Sequence, residues 1–380
     1  PSTGEPRRCG CATRGGVPAG RGGLASYREN VAVLTERRRI GVDGGCFVSY
    51  EGMMTDRPVE TLPNGVEVFQ ATDESVPVSN IYCEFPWCSP DSARFVFSRL
   101  ADKDDPNPIE YVACEFGTWE KRVIGRSCGF PTMAQKCFYF SRHTKTGRRE
   151  LVRYDLAGMK ETVVAIPEAV PDRARLDVSV DGRYVAFNQA LGYSPQRFAI
   201  GLADLKTGES RIIHEDQWIC NTHHQFEPST GRYLMVQHNR GCRFRADGTR
   251  ELLCGKEGCT LFLLTIPDGK VIRLPVGPPD TASLSGHETW IGGTGELIAT
   301  LNLQEDYDFG KGPIVGVTPE GKVRKICPPW QMNHIGIEPS GRVFCADAYS
   351  PDEVVIGSTV TNRALVVCPA RSSYRRLPVE

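Results

Sequence analysis

An all-β fold, a β-propeller with four-stranded antiparallel blades, is what this 380-residue sequence predicts. Three observations predict it. A turn rich in Ser, Pro, Asp and Gly recurs ahead of short apolar strands; further strand pairs joined by a second turn follow; and almost no stretch has helical periodicity.

The recurring unit can be followed along the chain. Ser89-Pro90-Asp91 precedes Arg94–Phe97, and Val180-Asp181-Gly182 precedes Arg183–Phe187. Pro228–Gly231 precedes Arg232–Val236, Gly293–Gly295 precedes Glu296–Thr300, and Pro339–Gly341 precedes Arg342–Cys345. A weaker copy lies at Ala134–Phe140. Second pairs follow, as in Leu261–Thr265, the turn Pro267-Asp268-Gly269, and Val271–Leu274. Four strands every 40 to 50 residues, roughly, is the spacing of a propeller blade. Six blades can be read, at about 79–125, 128–168, 173–214, 221–275, 284–327 and 331–377. The β-rich segments Gly45–Tyr50 and Val66–Phe69 are expected to build a seventh, so residues 45–380 form one propeller domain. Residues 1–44, with Gly20–Gly23 and Arg37–Arg39, read as flexible solvated chain.

Composition limits the function classes. A formal net charge of −1 lacks the basic excess that nucleic-acid and anionic-membrane binders need. No apolar run reaches the about 18 residues of a membrane span. Fifteen cysteines, an odd number scattered through strands, fit a disulfide framework poorly, so a reduced, cytoplasmic protein is expected.

His223, His287 and His334 each stand five residues ahead of the Pro or Gly that begins the turn, and Arg175 holds the same place in the third blade. The chain has only seven histidines, so three at one repeat position point to a site on one rim of the ring. Neutral imidazoles bind transition metals and also transfer protons near neutral pH. Gln331 and Glu288 are further oxygen donors beside His334 and His287. His224, on the opposite strand face from His223, reads as structural. Arg175, Arg197 and Arg240 suit bidentate capture of carboxylates, and His238 stands at a loop position within reach of a ligand. There is no nucleophile elbow, phosphate loop or dinucleotide fingerprint.

The segments Ala203–Glu209, Ile212–His214, His223–Pro228, Gln237–Gly241, His287–Trp290 and Asn333–Ile335 resemble the oligogalacturonate lyases in order and spacing. The resemblance runs from about Thr61 onward and is most specific in blades three to six. It implies a seven-bladed propeller that cleaves short pectin oligosaccharides by β-elimination with a manganese-type ion. Residue by residue it implies His287 as a metal ligand, His223 as an active-site histidine and Arg197 as the proton-abstracting base. Gln331-Met332-Asn333-His334 is similar to the family's ligand-bearing Gln-x-x-His, one blade early, which makes His334 and Gln331 metal candidates. Ser79 and Asn80 stand where the family has a histidine. An acidic oligosaccharide is the expected partner, with Arg175, His238, Arg240 and Tyr193 as substrate contacts and Tyr193 or His238 as the acid. Two other readings compete: a non-catalytic TolB-like propeller that binds protein or glycan partners, and a glycoside hydrolase using Glu288 and Asp177.

Overall fold

The computed structural model describes residues 58–369, apart from 59, 70, 73–77, 86–87, 135, 173, 303–313, 328–331 and 350–351. Residues 1–44, Gly45–Tyr50 and Gln331 lie outside the described residues. Chain contacts separate Pro1–Asn30 from Val31–Glu380, and every described residue belongs to the second unit.

Six four-stranded antiparallel sheets follow one another as blades of a propeller, each with its strands in chain order from the innermost outward. The innermost strands are Val78–Asn80, Thr132–Ala134, Leu176–Val178, Gln225–Phe226, Leu284–Trp290 and Met332–Ile337. Blade four carries an added two-stranded hairpin, Arg243–Phe244 with Arg250–Leu252. The seventh blade expected from the sequence is not among the described residues. There, Glu60–Thr61 pairs only with Glu67–Val68 as a two-stranded ribbon. Its turn residue Asn64 donates from Nδ2 to the carbonyl of Val367, on the outermost strand of blade six, at 2.8 Å.

Alternation along the strands explains where the core sits. Each of blades two to five buries one face against the blade before it and the other against the blade after, so apolar clusters fill every gap between consecutive described blades. Phe138 and Tyr111 lie between blades one and two, and Leu151 and Phe187 between two and three. Ile200 and Leu234 lie between blades three and four, Leu263 and Trp290 between four and five, and Ile298 and Phe344 between five and six. Two glycines make this packing possible. A Cβ at Gly201 would fall 2.0 Å from the Phe187 ring, and one at Gly357 would fall 2.1 Å from the Phe344 ring. In each case an aromatic ring on the second strand lies flat across the third, which only glycine permits. The cysteines among the described residues are free thiols.

Candidate active site

The repeat closes its inner turn with the same backbone hydrogen bond in five blades: Ser89 to Arg94, Ser179 to Tyr184, Glu227 to Tyr233, Ile291 to Glu296 and Glu338 to Val343, the first residue donating its N–H. Four residues before the last four donors stand Arg175, His223, His287 and His334. Equal offsets along equivalent strands bring these side chains to one mouth of the ring. The imidazole rings of His287 and His334 lie 4.2 Å apart, and those of His223 and His287 6.0 Å apart. His223 takes a φ of 41°, a left-handed conformation that histidine tolerates better than most residues.

Two buried carboxyls stand beneath these rings. Glu84 accepts from the Arg175 guanidinium at 2.6 Å and from Gln225 Nε2 at 3.1 Å, both on Oε2. Its Oε1 lies against His223 Nδ1. Asn221 Nδ2 stands 2.9 Å from His223 Nε2, while His223 Nδ1 has no hydrogen-bond partner. Burial raises the carboxyl of Glu84, but the His223 and Arg175 charges beside it prevail and hold it low. Glu288 is the opposite case: it is fully buried, neither of its oxygens has a hydrogen-bond partner, and its Oε1 is 3.9 Å from His223 Nδ1. Burial, then the nearby Glu84 charge, push its carboxyl well above the ordinary range.

Glu84, His223 and Glu288 each bring one ligand atom to within 4.8 Å of the others. Two carboxylates and an imidazole around orphaned oxygens fit a divalent cation of the magnesium–manganese type, which prefers oxygen donors. His287 also has an unpartnered Nδ1. Burial, then His334 and His223, lower its pKa to about 3, so it is neutral at physiological pH. His334 is held otherwise: Asp347 accepts from its backbone N–H at 2.7 Å, and the second oxygen of Asp347 stands 2.9 Å from its Nδ1. That contact favours a proton on Nδ1 and makes Nε2, with Asn333 Nδ2 at 3.4 Å, the acceptor nitrogen.

The remaining sequence candidates are placed apart from this cluster. Arg197 lies on the long hairpin of blade three, exposed, with its guanidinium 2.8 Å from Glu215. Tyr193 stacks on Phe244 at 5.5 Å. His238 stands 3.2 Å from Asp216, and Arg240 donates to the carbonyls of Gly258 and Pro278 at 3.1 and 2.6 Å. All four lie on strand ends or loops beyond the same mouth, and no described contact joins them to the histidines. His224, as expected, is buried, with Thr222 at 2.7 Å from its Nδ1. Asp177 accepts from the Thr132 hydroxyl and from the Phe226 N–H, tying three inner strands together. Glu84, Asp347 and Tyr82 were not candidates from the sequence.

Comparison with protein-family models and with curated proteins gave no match. In fold, the chain is similar to oligogalacturonate lyases. A structure titled as oligogalacturonate lyase in complex with manganese matches at a TM-score of 0.56 and 15% identity, over 80% of this chain and 84% of that one. An oligogalacturonate lyase from Vibrio parahaemolyticus matches at 0.56 and 16%, with the same coverage. TolB from Acinetobacter baumannii matches at 0.47 and 14%, over 74% of this chain and 64% of that one. Identities this low speak to the propeller fold; what the protein does must be argued from the mouth residues.

Proposed function

We propose that the protein is a lyase that cleaves uronate-containing oligosaccharides by β-elimination. The observation that carries this reading is the single mouth at which Arg175, Glu84, His223, Glu288, His287 and the His334–Asp347 pair converge. β-Elimination needs no nucleophile. It needs positive charge beside the uronate carboxylate, a base for the C5 proton and a donor for the leaving oxygen.

Glu84, His223 and Glu288 would hold a divalent cation, with manganese among the ions that suit them. Bound there, such an ion supplies positive charge that favours removal of the C5 proton. Arg175 holds the Glu84 carboxylate in place from the other side. His223 Nε2 is engaged by Asn221, while its Nδ1 faces both carboxyls with no hydrogen-bond partner of its own, so it fits the role of ligand better than that of base. The base role falls to His334, whose Nδ1 is oriented by Asp347 and whose Nε2 is the acceptor nitrogen, with Asn333 Nδ2 3.4 Å away. Arg197, Arg240, His238 and Tyr193 would meet more distant sugars.

The test is ultraviolet absorbance of the unsaturated uronate product, with trigalacturonate and a panel of other uronate oligosaccharides, with and without manganese. Product from one of them that is lost in His334→Ala supports the reading. No product from any, with folded protein, would move the weight to a propeller that binds its partner without turning it over.

A further inference from the structure

One side chain at the mouth belongs to no repeat position. The Tyr82 ring lies 5.9 Å from the ring of His223, 6.2 Å from that of His287 and 6.4 Å from that of His334. The guanidinium carbon of Arg175 stands 6.0 Å from the same ring. Among the described residues, no other side chain makes ring contacts with all three imidazoles. A sugar seated against all three imidazoles would lie beside this ring.

The backbone holds Tyr82 there against its own preference. Its φ is 126°, a conformation that residues with a side chain rarely adopt, and such strain persists only where surrounding contacts enforce it. The enforcing contacts belong to Glu84, two residues on. Its carbonyl accepts from the Thr289 hydroxyl at 3.2 Å, and its carboxylate from Arg175 and Gln225. Tyr82 is half-buried among imidazoles and a guanidinium. No described residue accepts the proton of its hydroxyl. An ordinary phenol is protonated at neutral pH.

We propose that Tyr82 is the acid of the elimination, its hydroxyl giving its proton to the glycosidic oxygen as that oxygen leaves C4. The inference rests on the lyase reading and deepens it. The C5–H electron pair becomes the C4–C5 double bond, the C4–O bond breaks with its pair going to oxygen, and oxygen takes the phenolic proton. The phenolate then regains a proton from water, and the base releases to water the proton it took from C5.

A leaving group that needs no proton separates this role from a structural one. Tyr82→Phe, and Tyr82→Asn as a second variant because asparagine accepts positive φ more readily, are assayed on trigalacturonate and on a galacturonide bearing 4-nitrophenoxide at C4. The expected result is a loss in kcat of about 10²- to 10⁴-fold on trigalacturonate, with KM little changed and nitrophenolate release kept close to wild type. Equal loss on both substrates, or no loss on either, in a folded variant overturns the role of Tyr82 while leaving the lyase reading intact. Wild-type protein that releases neither unsaturated uronate nor nitrophenolate overturns the lyase reading, and the acid role with it.

Discussion

Glu84 and Glu288 are neighbours of the same chemical type in opposite states, and the difference lies in their partners. Glu84 has a guanidinium at 2.6 Å, whereas both oxygens of Glu288 are buried without a donor. Glu84→Gln would strand the Arg175 charge in a site where its side chain is 11% exposed. Removing one member of a buried pair costs about 3–5 kcal/mol, and urea denaturation should show a loss of that order. Glu288→Gln replaces a carboxyl already held neutral with a neutral amide of the same shape. Its cost without added metal should stay within about 1 kcal/mol, set by an amide that is no better satisfied than the acid it replaces. A loss for Glu288→Gln as large as that for Glu84→Gln would mean that Glu288 is ionised in the metal-free protein. The same logic of partners applies to His334. If Asp347 sets its tautomer, Asp347→Asn should lower kcat while leaving KM nearly unchanged, and His334→Ala should lower kcat further, by about 10²- to 10⁴-fold.

At the scale of strands, the inner ring is stitched by polar groups as well as by apolar packing. Asp177 in blade three accepts from Thr132 in blade two and Phe226 in blade four, and burial raises its carboxyl to about 6. The folded protein thus keeps a proton that the unfolded chain, with an ordinary aspartate near 3.9, has already released at mild acid pH. That stability is fully present below the unfolded value and is lost as pH rises toward the folded one. Asp177→Asn can still accept from Phe226 and donate to Thr132, and it does not titrate. Denaturation at about pH 4 and about pH 7 should therefore show the variant gaining about 2–3 kcal/mol on the wild type across that interval. A constant gap would show that Asp177 titrates normally.

The same strands explain what could be read from the sequence. Blades, turns and the four rim residues Arg175, His223, His287 and His334 were legible because equal offsets from equal turns survive in the fold. Glu84 was not, because blade one departs from the repeat over Ile81–Phe85. Its closing bond runs from Ser89 to Arg94, and the residue four before Ser89 is Phe85, which leaves Glu84 one position out of step. Asp347 was hidden by a register shift between Met332 and Ile335, which changes what lies across from His334. Arg197, the base by resemblance, stands instead at the end of blade three's long hairpin, with its guanidinium on Glu215.

For the molecule as a whole, the decisive feature is that the candidate cation site draws on distant parts of the chain. Glu84 comes from blade one, His223 from blade four and Glu288 from blade five, so an ion between them would join segments separated by up to 204 residues of sequence. No such set of ligand atoms persists once the blades separate, so binding belongs to the native state and adds stability as RT ln(1 + [L]/Kd). At a hundredfold excess of ion over Kd that is about 2.7 kcal/mol. Manganese should accordingly raise the thermal midpoint by a few degrees in one cooperative transition, with a chelator reversing it. Glu288→Gln should abolish that rise while unfolding near the metal-free midpoint of the wild type. Two oxygens and a nitrogen at the ion would also appear as nitrogen hyperfine coupling in the manganese resonance spectrum of the wild type, lost in His223→Ala. A rise that survives Glu288→Gln would place the ion elsewhere at the mouth, with the unpartnered His287 the next group to test. No rise at all would leave Glu288 as a buried neutral acid and Arg175 as the fixed positive charge that a uronate meets.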